Sequence, residues 1–175
     1  MPPRLILING VPASGKTTLA RAWCARHASG LPLALDIDVL RAMLGGWHQD
    51  LHSAGLAARD LAIAAISAHL GSGRDVVVPQ YLRREEFIER LEATAEECGA
   101  VFVETALRID AGVAAERFEG RAAELGSGDI YSTLPSEMEV VVPEFEKFLQ
   151  SRPEAVRIPA EDGALAALEA AVAGR

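Results

Sequence analysis

The chain has 175 residues, half of them apolar, which is typical of one globular domain with a sizeable core. Its formal net charge of −8 argues against a broad surface for polyanions and therefore against a nucleic-acid partner, although a local basic pocket can still bind a small anion. No apolar run approaches the roughly 18 residues of a membrane-spanning helix, and we expect no membrane partner.

The N-terminus and the cysteines indicate the compartment. Met1-Pro2-Pro3-Arg4 leads directly into an apolar run, so we expect no signal peptide. Cys24 and Cys98 fall within helical patterns and lack the spacing of metal ligands, and we expect both to be reduced packing residues. These features together predict a cytoplasmic protein.

Short apolar runs alternate with helical patterns along the whole chain. The predicted strands are 4–9, 33–35, 76–78 (closed by Pro79), 101–107 and 155–158. The predicted helices are 15–28, 39–44, 53–70, 84–98, 110–125, 136–149 (kinked or restarted at Pro143) and 162–173. Because the strands are continuously apolar, they predict a parallel sheet that is covered by helices on both faces, the doubly wound α/β class.

The most informative stretch lies between the first strand and the first helix. Gly10-Val11-Pro12-Ala13-Ser14-Gly15-Lys16-Thr17 has the G-x-x-x-x-G-K-[ST] pattern of the P-loop. In such a loop the backbone N–H groups point inward and form a nest for phosphate oxygens, and the helix adds its positive end. We expect Lys16 to reach the β- and γ-phosphates, Thr17 to hold Mg²⁺ and Thr18 to meet the α-phosphate. The predicted nucleotide-binding residues of the loop are Gly10, Ala13, Ser14, Gly15, Lys16, Thr17 and Thr18.

A second polar stretch, Asp36-Ile37-Asp38-Val39-Leu40-Arg41, follows the second strand. One aspartate is explained as a helix N-cap. The same stretch can also supply a carboxylate that orients or deprotonates a hydroxyl beside the phosphates, with Asp38 the better candidate base and Arg41 a phosphate or substrate contact. Since ligands bind beyond the carboxyl ends of parallel strands, we expect this turn, the P-loop and the turn at Pro79-Gln80 to converge.

Gly10–Thr18 followed by Asp36–Arg41 resembles the small P-loop kinases, among them adenylylsulfate kinase, gluconate kinase, polynucleotide kinase, chloramphenicol phosphotransferase and the zeta-toxin group. The resemblance implies a three-layer fold with a five-stranded parallel sheet in the order 2-3-1-4-5. It also implies a single domain over 1–175 with a small helical lid at about 114–135. In several of these kinases an acidic residue after the second strand activates the acceptor hydroxyl, and Asp38 matches it. Asp38-Val39-Leu40-Arg41 is similar to the D-x-x-R arrangement of the polynucleotide-kinase branch.

Arg117 and Arg121 fall where the resemblance implies that lid. They are four residues apart and therefore share one helix face, where like charges are mildly unfavourable unless an anion lies between them. In the kinases that the chain resembles, lid arginines meet nucleotide phosphates or stack on the base. Neighbouring glutamates can instead give these arginines an ordinary solvated balance. Gly126 and Gly128 would allow the lid to close and exclude water.

The third strand departs from the pattern of many P-loop proteins, because Gln80 stands where an aspartate usually holds Mg²⁺ through water. We therefore consider Asp36 a candidate for the missing carboxylate, which leaves open whether Asp36 or Asp38 is the base. Trp47 is either an apolar wall for an organic substrate or a partly buried packing residue.

These features predict a kinase that uses ATP and Mg²⁺ to phosphorylate a hydroxyl of a small molecule. Lys16, Asp38, Arg41, Arg117 and Arg121 are the candidate catalytic residues, and Thr17 with Asp36 would hold the metal. The alternatives are a zeta-toxin-like or nucleic-acid-end kinase, and a nucleotide-binding regulatory ATPase that needs no acceptor base. The acceptor and the oligomeric state do not follow from the sequence.

Overall fold

The computed structural model describes residues 1–125 and 135–175, and of residues 121–125 and 135 it describes only the backbone. Five strands form one sheet: β1 Arg4–Gly10, β2 Leu33–Ala34, β3 Val76–Gln80, β4 Val101–Arg108 and β5 Val156–Pro159. The α-helices of the described part are α1 Lys16–Arg26, α2 Ile37–Met43, α3 Leu51–Gly71, α4 Glu85–Glu97, α5 Ala111–Leu125, α6 Met138–Phe148 and α7 Ala164–Ala173.

The sheet has the order β2-β3-β1-β4-β5, and every neighbouring pair of strands is parallel. This confirms both the predicted α/β class and the predicted strand order. β1 lies at the centre, with β3 on one side and β4 on the other. Its carboxyl end therefore delivers the P-loop to the middle of the sheet edge, where ligands of such folds bind.

The central strands are buried on both faces, which explains why they are continuously apolar. Leu5 and Leu7 pack with α3 and α4, whereas Ile6 and Ile8 pack with α1 and α7 on the opposite face. This alternation follows from the period of two along a strand. A third cluster joins Val11 of the P-loop to α5 and α6. Helices thus cover both faces of the sheet, as predicted.

Pro79 does not close β3, so that prediction was wrong: the strand continues to Gln80. The hydrogen bonds to β2 explain why a proline is tolerated. Leu35 N donates to Val77 O at 2.9 Å, so the backbone polar groups of Val77 face β2. Pro79 lies two residues further along β3, and its backbone therefore faces β2 as well. Because β2 ends at Ala34, the missing N–H of Pro79 faces a position where no ladder hydrogen bond is required.

The structure also revises the start of one predicted helix, α2, and shows that another, α6, is continuous. α2 begins at Ile37 and not at residue 39, which places Asp38 in its first turn. α6 continues through Pro143 as one helix, with the proline on its exposed side. Among the residues that the structure describes, none of the helices combines the length and apolarity that crossing a bilayer requires.

Candidate functional site

The loop between β1 and α1 is shaped by backbone conformations that suit few residue types. Gly15 has φ 91° and Ala13 has φ 60°, both in the left-handed region. Ser14 N donates to Val11 O at 3.2 Å, which turns the loop back on itself. A Cβ at Gly10 would lie 2.7 Å from Ser14 Oγ and 3.3 Å from Leu107 O, so glycine is needed there for close packing. The loop therefore has the tight curl that a phosphate nest requires.

Three of the four buried side-chain polar atoms that lack a partner in the described part of the chain lie at this same edge of the sheet. In the described part of the chain these side-chain atoms are Ser14 Oγ, Trp23 Nε1, Arg41 Nε and Tyr81 Oη. Ser14 lies in the P-loop, Arg41 on α2, and Tyr81 directly after β3, where it packs in the cluster that contains Val11. Because native proteins leave few buried polar groups unsatisfied, this concentration indicates a ligand site at the edge.

A cleft of about 770 Å³ extends along the P-loop, within the size range of small-molecule and cofactor sites. Lys16, Thr17 and Thr18 line one part of it, and the turn between β5 and α7 lines another through Ala160 and nearby residues. Arg117 also lines the cleft, and its Nη2 donates to Ala160 O at 3.2 Å. The arginine thus bridges α5 and the β5–α7 turn. The side chain of Arg121 lies outside what the structure describes, and so do Gly126, Gly128 and the rest of residues 126–134 of the predicted lid.

Lys16 is half-buried at the N-terminus of α1. Its Nζ donates to Val11 O at 3.1 Å, so the side chain folds back over the P-loop. An ammonium that folds over a tightly curled loop of this kind is suited to an anion with several oxygens, such as a polyphosphate. The cleft, the loop conformation and this lysine therefore fit a nucleoside triphosphate.

Asp36 joins the P-loop helix to α2. Thr17 Oγ1 donates to Asp36 Oδ2 at 3.2 Å, and Asp38 N donates to Asp36 Oδ1 at 3.1 Å. Asp36 is therefore the N-cap of α2, as one reading of the sequence expected, and it also contacts the hydroxyl proposed to bind metal. The two readings of this aspartate are compatible, since each uses a different carboxylate oxygen.

The residues described here include no group of three or more His, Cys, Asp or Glu side chains that could form a protein-only metal cage. Mg²⁺ commonly binds with one or two carboxylates, several waters and substrate phosphates, so Thr17 beside Asp36 fits this ion better than an ion that needs a full cage. Gln80 is buried at the end of β3, opposite Asn9 in the register with β1. Gln80 therefore lies beside the start of the P-loop, at the position where many P-loop proteins have an aspartate.

Asp38 forms an ion pair with Arg41, with Arg41 Nη2 3.1 Å from Asp38 Oδ1. The Arg41 guanidinium lies 5.6 Å from the ring centroid of Trp47, a cation–π distance. Burial raises the pKa of Asp38 above its ordinary value. Arg41 lowers this pKa, the neighbouring Asp36 raises it, and Lys16 and Arg59 lower it. The hydrogen bond from Thr17 to Asp36 shows that the P-loop and the Asp36–Arg41 stretch converge, as expected.

Two residues of this edge, Asn9 and Arg59, were not predicted from the sequence. Asn9 is fully buried and exchanges two hydrogen bonds with the backbone of Leu82, at 2.9 and 3.0 Å, which fixes the connection after β3. Its signal was a polar residue within an apolar strand. Arg59 of α3 acts on Asp38 and lies 5.6 Å from the ring centroid of Phe87. Its signal was weak: an arginine beside the buried alanine stripe of a helix.

Comparisons with known proteins place this geometry in a family. A family model described as an AAA domain, AAA_33, matches residues 5–137. A search of curated proteins gives no significant match. The fold is similar to that of a proposed kinase from Chloroflexus aurantiacus j-10-fl, with 22% identity, a TM-score of 0.70, and coverage of 99% of this chain and 97% of that chain. It is also similar to a gluconokinase from Sinorhizobium meliloti 1021, with 20% identity, a TM-score of 0.61, and coverage of 99% and 91%.

A third similar structure is a chain of the Pnkp1/Rnl/Hen1 RNA repair complex, with 18% identity, a TM-score of 0.70, and coverage of 85% of this chain and 46% of that chain. At such identities a likeness to a solved structure establishes the fold alone, whereas the family model covers most of the chain. The chain belongs to the AAA domain family AAA_33, and its fold is that of the small P-loop kinases, as the motifs in the sequence indicated.

Proposed function

We propose that the protein is a kinase that transfers the γ-phosphoryl group of ATP to a hydroxyl of a small molecule, with Mg²⁺. The observation that carries the proposal is the continuous contact from Thr17 through Asp36 to Asp38. These contacts connect the candidate phosphate-binding loop to the backbone of Asp38, and the carboxylate of Asp38 is held by Arg41. A loop that only bound nucleotide would not need such a second carboxylate.

On the donor side, the P-loop amides and Lys16 would hold the phosphates and offset the charge that spreads over the transferring oxygens. Thr17 and Asp36 would hold Mg²⁺, which when bound neutralises phosphate charge. Arg117 lines the same cleft, and on binding it would give up its hydrogen bond to Ala160 O and donate to a group of the nucleotide instead. We assign Arg121 the same kind of role on its spacing from Arg117, within a lid over about 114–135 of a single domain spanning 1–175.

On the acceptor side, the hydroxyl oxygen forms a bond to the γ-phosphorus while the bond from that phosphorus to the β–γ bridging oxygen breaks. The hydroxyl proton passes to the carboxylate of Asp38, and ADP leaves. Burial makes this carboxylate more basic than an exposed aspartate, because it raises the pKa, and that favours its use as a general base. Arg41 would keep the carboxylate oriented through their ion pair.

A direct assay tests the proposal. The purified protein is incubated with γ-labelled ATP, Mg²⁺ and a panel of hydroxylated metabolites and antibiotics, and products are identified by mass. We expect one compound class to acquire a single phosphoryl group, and Lys16→Ala to remove that activity. Labelling of no compound by a protein that still binds ATP would contradict the proposal.

A second candidate is a kinase of nucleic-acid ends, in which case the acceptor is a terminal hydroxyl. The D-x-x-R spacing of the Asp38–Arg41 ion pair and the likeness to a chain of an RNA repair complex favour it. The net charge of −8 weighs against it, since such proteins usually present a basic surface. Phosphorylation of an oligonucleotide with a free 5′-hydroxyl, in preference to every small acceptor, would select this candidate. For either activity we propose a cytoplasmic location.

A further inference from the structure

Arg59 differs from most arginines whose side chains the structure describes in forming no ion pair with a carboxylate. It is half-buried on α3, and among the described residues it makes neither a salt bridge nor a hydrogen bond. In the same part of the chain, eight other arginines each pair with a carboxylate: Arg4, Arg26, Arg41, Arg83, Arg90, Arg108, Arg152 and Arg175. A partly desolvated guanidinium that forms no ion pair is unfavourable, and Asp38 is already paired with Arg41, so a ligand anion is a natural partner for Arg59.

The position of Arg59 indicates which ligand it would meet. Its guanidinium lies 5.6 Å from the ring centroid of Phe87, in the first turn of α4, and this contact restricts the long side chain. The same arginine interacts electrostatically with Asp38, the proposed base. Arg59 is not among the residues that line the P-loop cleft. Arg59 therefore approaches Asp38 from α3, which packs against α2, and not from the residues that line the cleft.

Arg41 provides a second guanidinium beside Asp38. One of its terminal nitrogens is taken by Asp38, and its flat face is covered by Trp47. Its Nε is buried and has no hydrogen-bond partner among the described residues. Two guanidinium groups therefore lie near one carboxylate. A carboxylate or phosphate group on the acceptor would balance the charge that remains and satisfy guanidinium donors.

We propose that the acceptor is an anionic hydroxylated small molecule, whose carboxylate or phosphate group is held by Arg59 together with Arg41 while its hydroxyl lies at Asp38. This inference rests on the proposed kinase function and narrows its substrate class. Arg59 is then the residue that selects charged acceptors over neutral ones.

The test uses the full chain loaded with the non-hydrolysable analogue AMP-PNP and Mg²⁺, so that the P-loop is already occupied. Matched probes are titrated: D-glycerate, glycerol 3-phosphate and glycerol form one set, and D-gluconate and D-glucitol form another. Tryptophan fluorescence is the readout. The chain has two tryptophans, of which Trp23 is 1% exposed in the core and Trp47 packs on Arg41, so we expect the acceptor probes to act mainly on Trp47.

We expect an anionic member of a set to bind at least about tenfold more tightly than its neutral counterpart, as charge-assisted pairing with arginine implies. The carboxylate and phosphate members then show which anion is preferred. Arg59→Gln should remove the advantage, and Arg59→Lys, which keeps the charge but not the planar fork, should retain part of it. Arg90→Gln is the matched control, because Arg90 is exposed and pairs with Asp60 on the surface. It should behave as the unmodified protein.

The outcomes separate this inference from the function on which it rests. Failure of AMP-PNP to bind would overturn the proposed kinase function. Normal AMP-PNP binding would overturn this inference alone if anionic and neutral probes bind equally, if no anionic probe binds, or if Arg90→Gln weakens binding as much as Arg59→Gln. A loss of AMP-PNP affinity in Arg59→Gln would place Arg59 on the donor side and also contradict it.

Discussion

The hydroxyl of Thr17 lies 3.2 Å from Oδ2 of Asp36, so the helix that follows the P-loop is tied to the turn that follows β2. The other oxygen of Asp36 accepts from Asp38 N and caps α2. One side chain therefore connects a candidate metal ligand with the segment that carries the candidate base.

Substitutions of Asp36 should separate its two contacts. Asp36→Asn keeps an oxygen for Asp38 N but loses the charge, and we expect the Mg²⁺ concentration for half-maximal activity to rise about tenfold or more. Asp36→Ala also removes the cap, and we expect an additional loss of about 1 kcal/mol in the free energy of unfolding. A magnesium titration and chemical denaturation measure the two effects. An unchanged magnesium dependence in Asp36→Asn would remove Asp36 from the metal site.

Gly10→Ala should damage the P-loop. The new Cβ would meet Ser14 Oγ at 2.7 Å and Leu107 O at 3.3 Å, so the loop must shift. We expect weaker nucleotide binding and a loss of about 1–3 kcal/mol in the free energy of unfolding, as overpacking usually costs. Gly55→Ala is the control, because a Cβ there meets nothing within 4 Å inside α3. It should stabilise the protein by about 0.5–1 kcal/mol. Equal effects of the two substitutions would contradict the packing argument.

The pH dependence of phosphoryl transfer should follow Asp38. Burial raises its pKa, and the base acts only when ionised, so kcat/KM should fall as pH drops through that raised value. The acidic limb should therefore lie at higher pH than the value of about 3.9 for an exposed aspartate. Arg41 lowers the same pKa, so Arg41→Met should move the limb to still higher pH. A limb that stays in place or moves to lower pH in Arg41→Met would contradict this.

A stability prediction concerns the ion pair between β4 and the segment after α6. Glu104 has a side chain only 6% exposed, and Arg152 Nη2 lies 2.7 Å from its Oε2. Arg152→Ala would leave a buried carboxylate unpaired, and we expect a loss of about 3 kcal/mol in the free energy of unfolding. The exposed pair of Arg175 with Glu154, at 3.9 Å, is the control. Arg175→Ala should change stability by less than about 0.5 kcal/mol in the same urea titration.

The sheet and the phosphate loop could be predicted from local sequence because their signals are local. Continuously apolar runs predict buried parallel strands. The P-loop from Gly10 to Thr17 is recognised by the fixed spacing of its glycines, lysine and threonine. The error at Pro79 has a non-local cause. Whether a proline interrupts a strand depends on which neighbour its backbone faces, and here the neighbour β2 has already ended.

The roles of the two aspartates depend on spatial relationships that spacing does not encode. The sequence left open which of them is the base. In the structure, Asp36 accepts hydrogen bonds from Thr17 and from the backbone N of Asp38, whereas the Asp38 carboxylate pairs with Arg41. Arg59 could not be found for a similar reason. It is 18 residues beyond Arg41, and only the packing of α3 against α2 brings it to Asp38.

The most direct test of the central claim compares Asp38→Asn with Asp60→Asn in a phosphoryl-transfer assay, with ATP affinity measured alongside. Asp60 is an exposed carboxylate of α3 outside the site, so its substitution should leave transfer unchanged. Asp38→Asn should lower kcat by about 10²–10⁴-fold, as loss of a general base does, while ATP binds with nearly unchanged affinity. Transfer at the unmodified rate by Asp38→Asn, to the same acceptor, would contradict the assignment of Asp38 as the base.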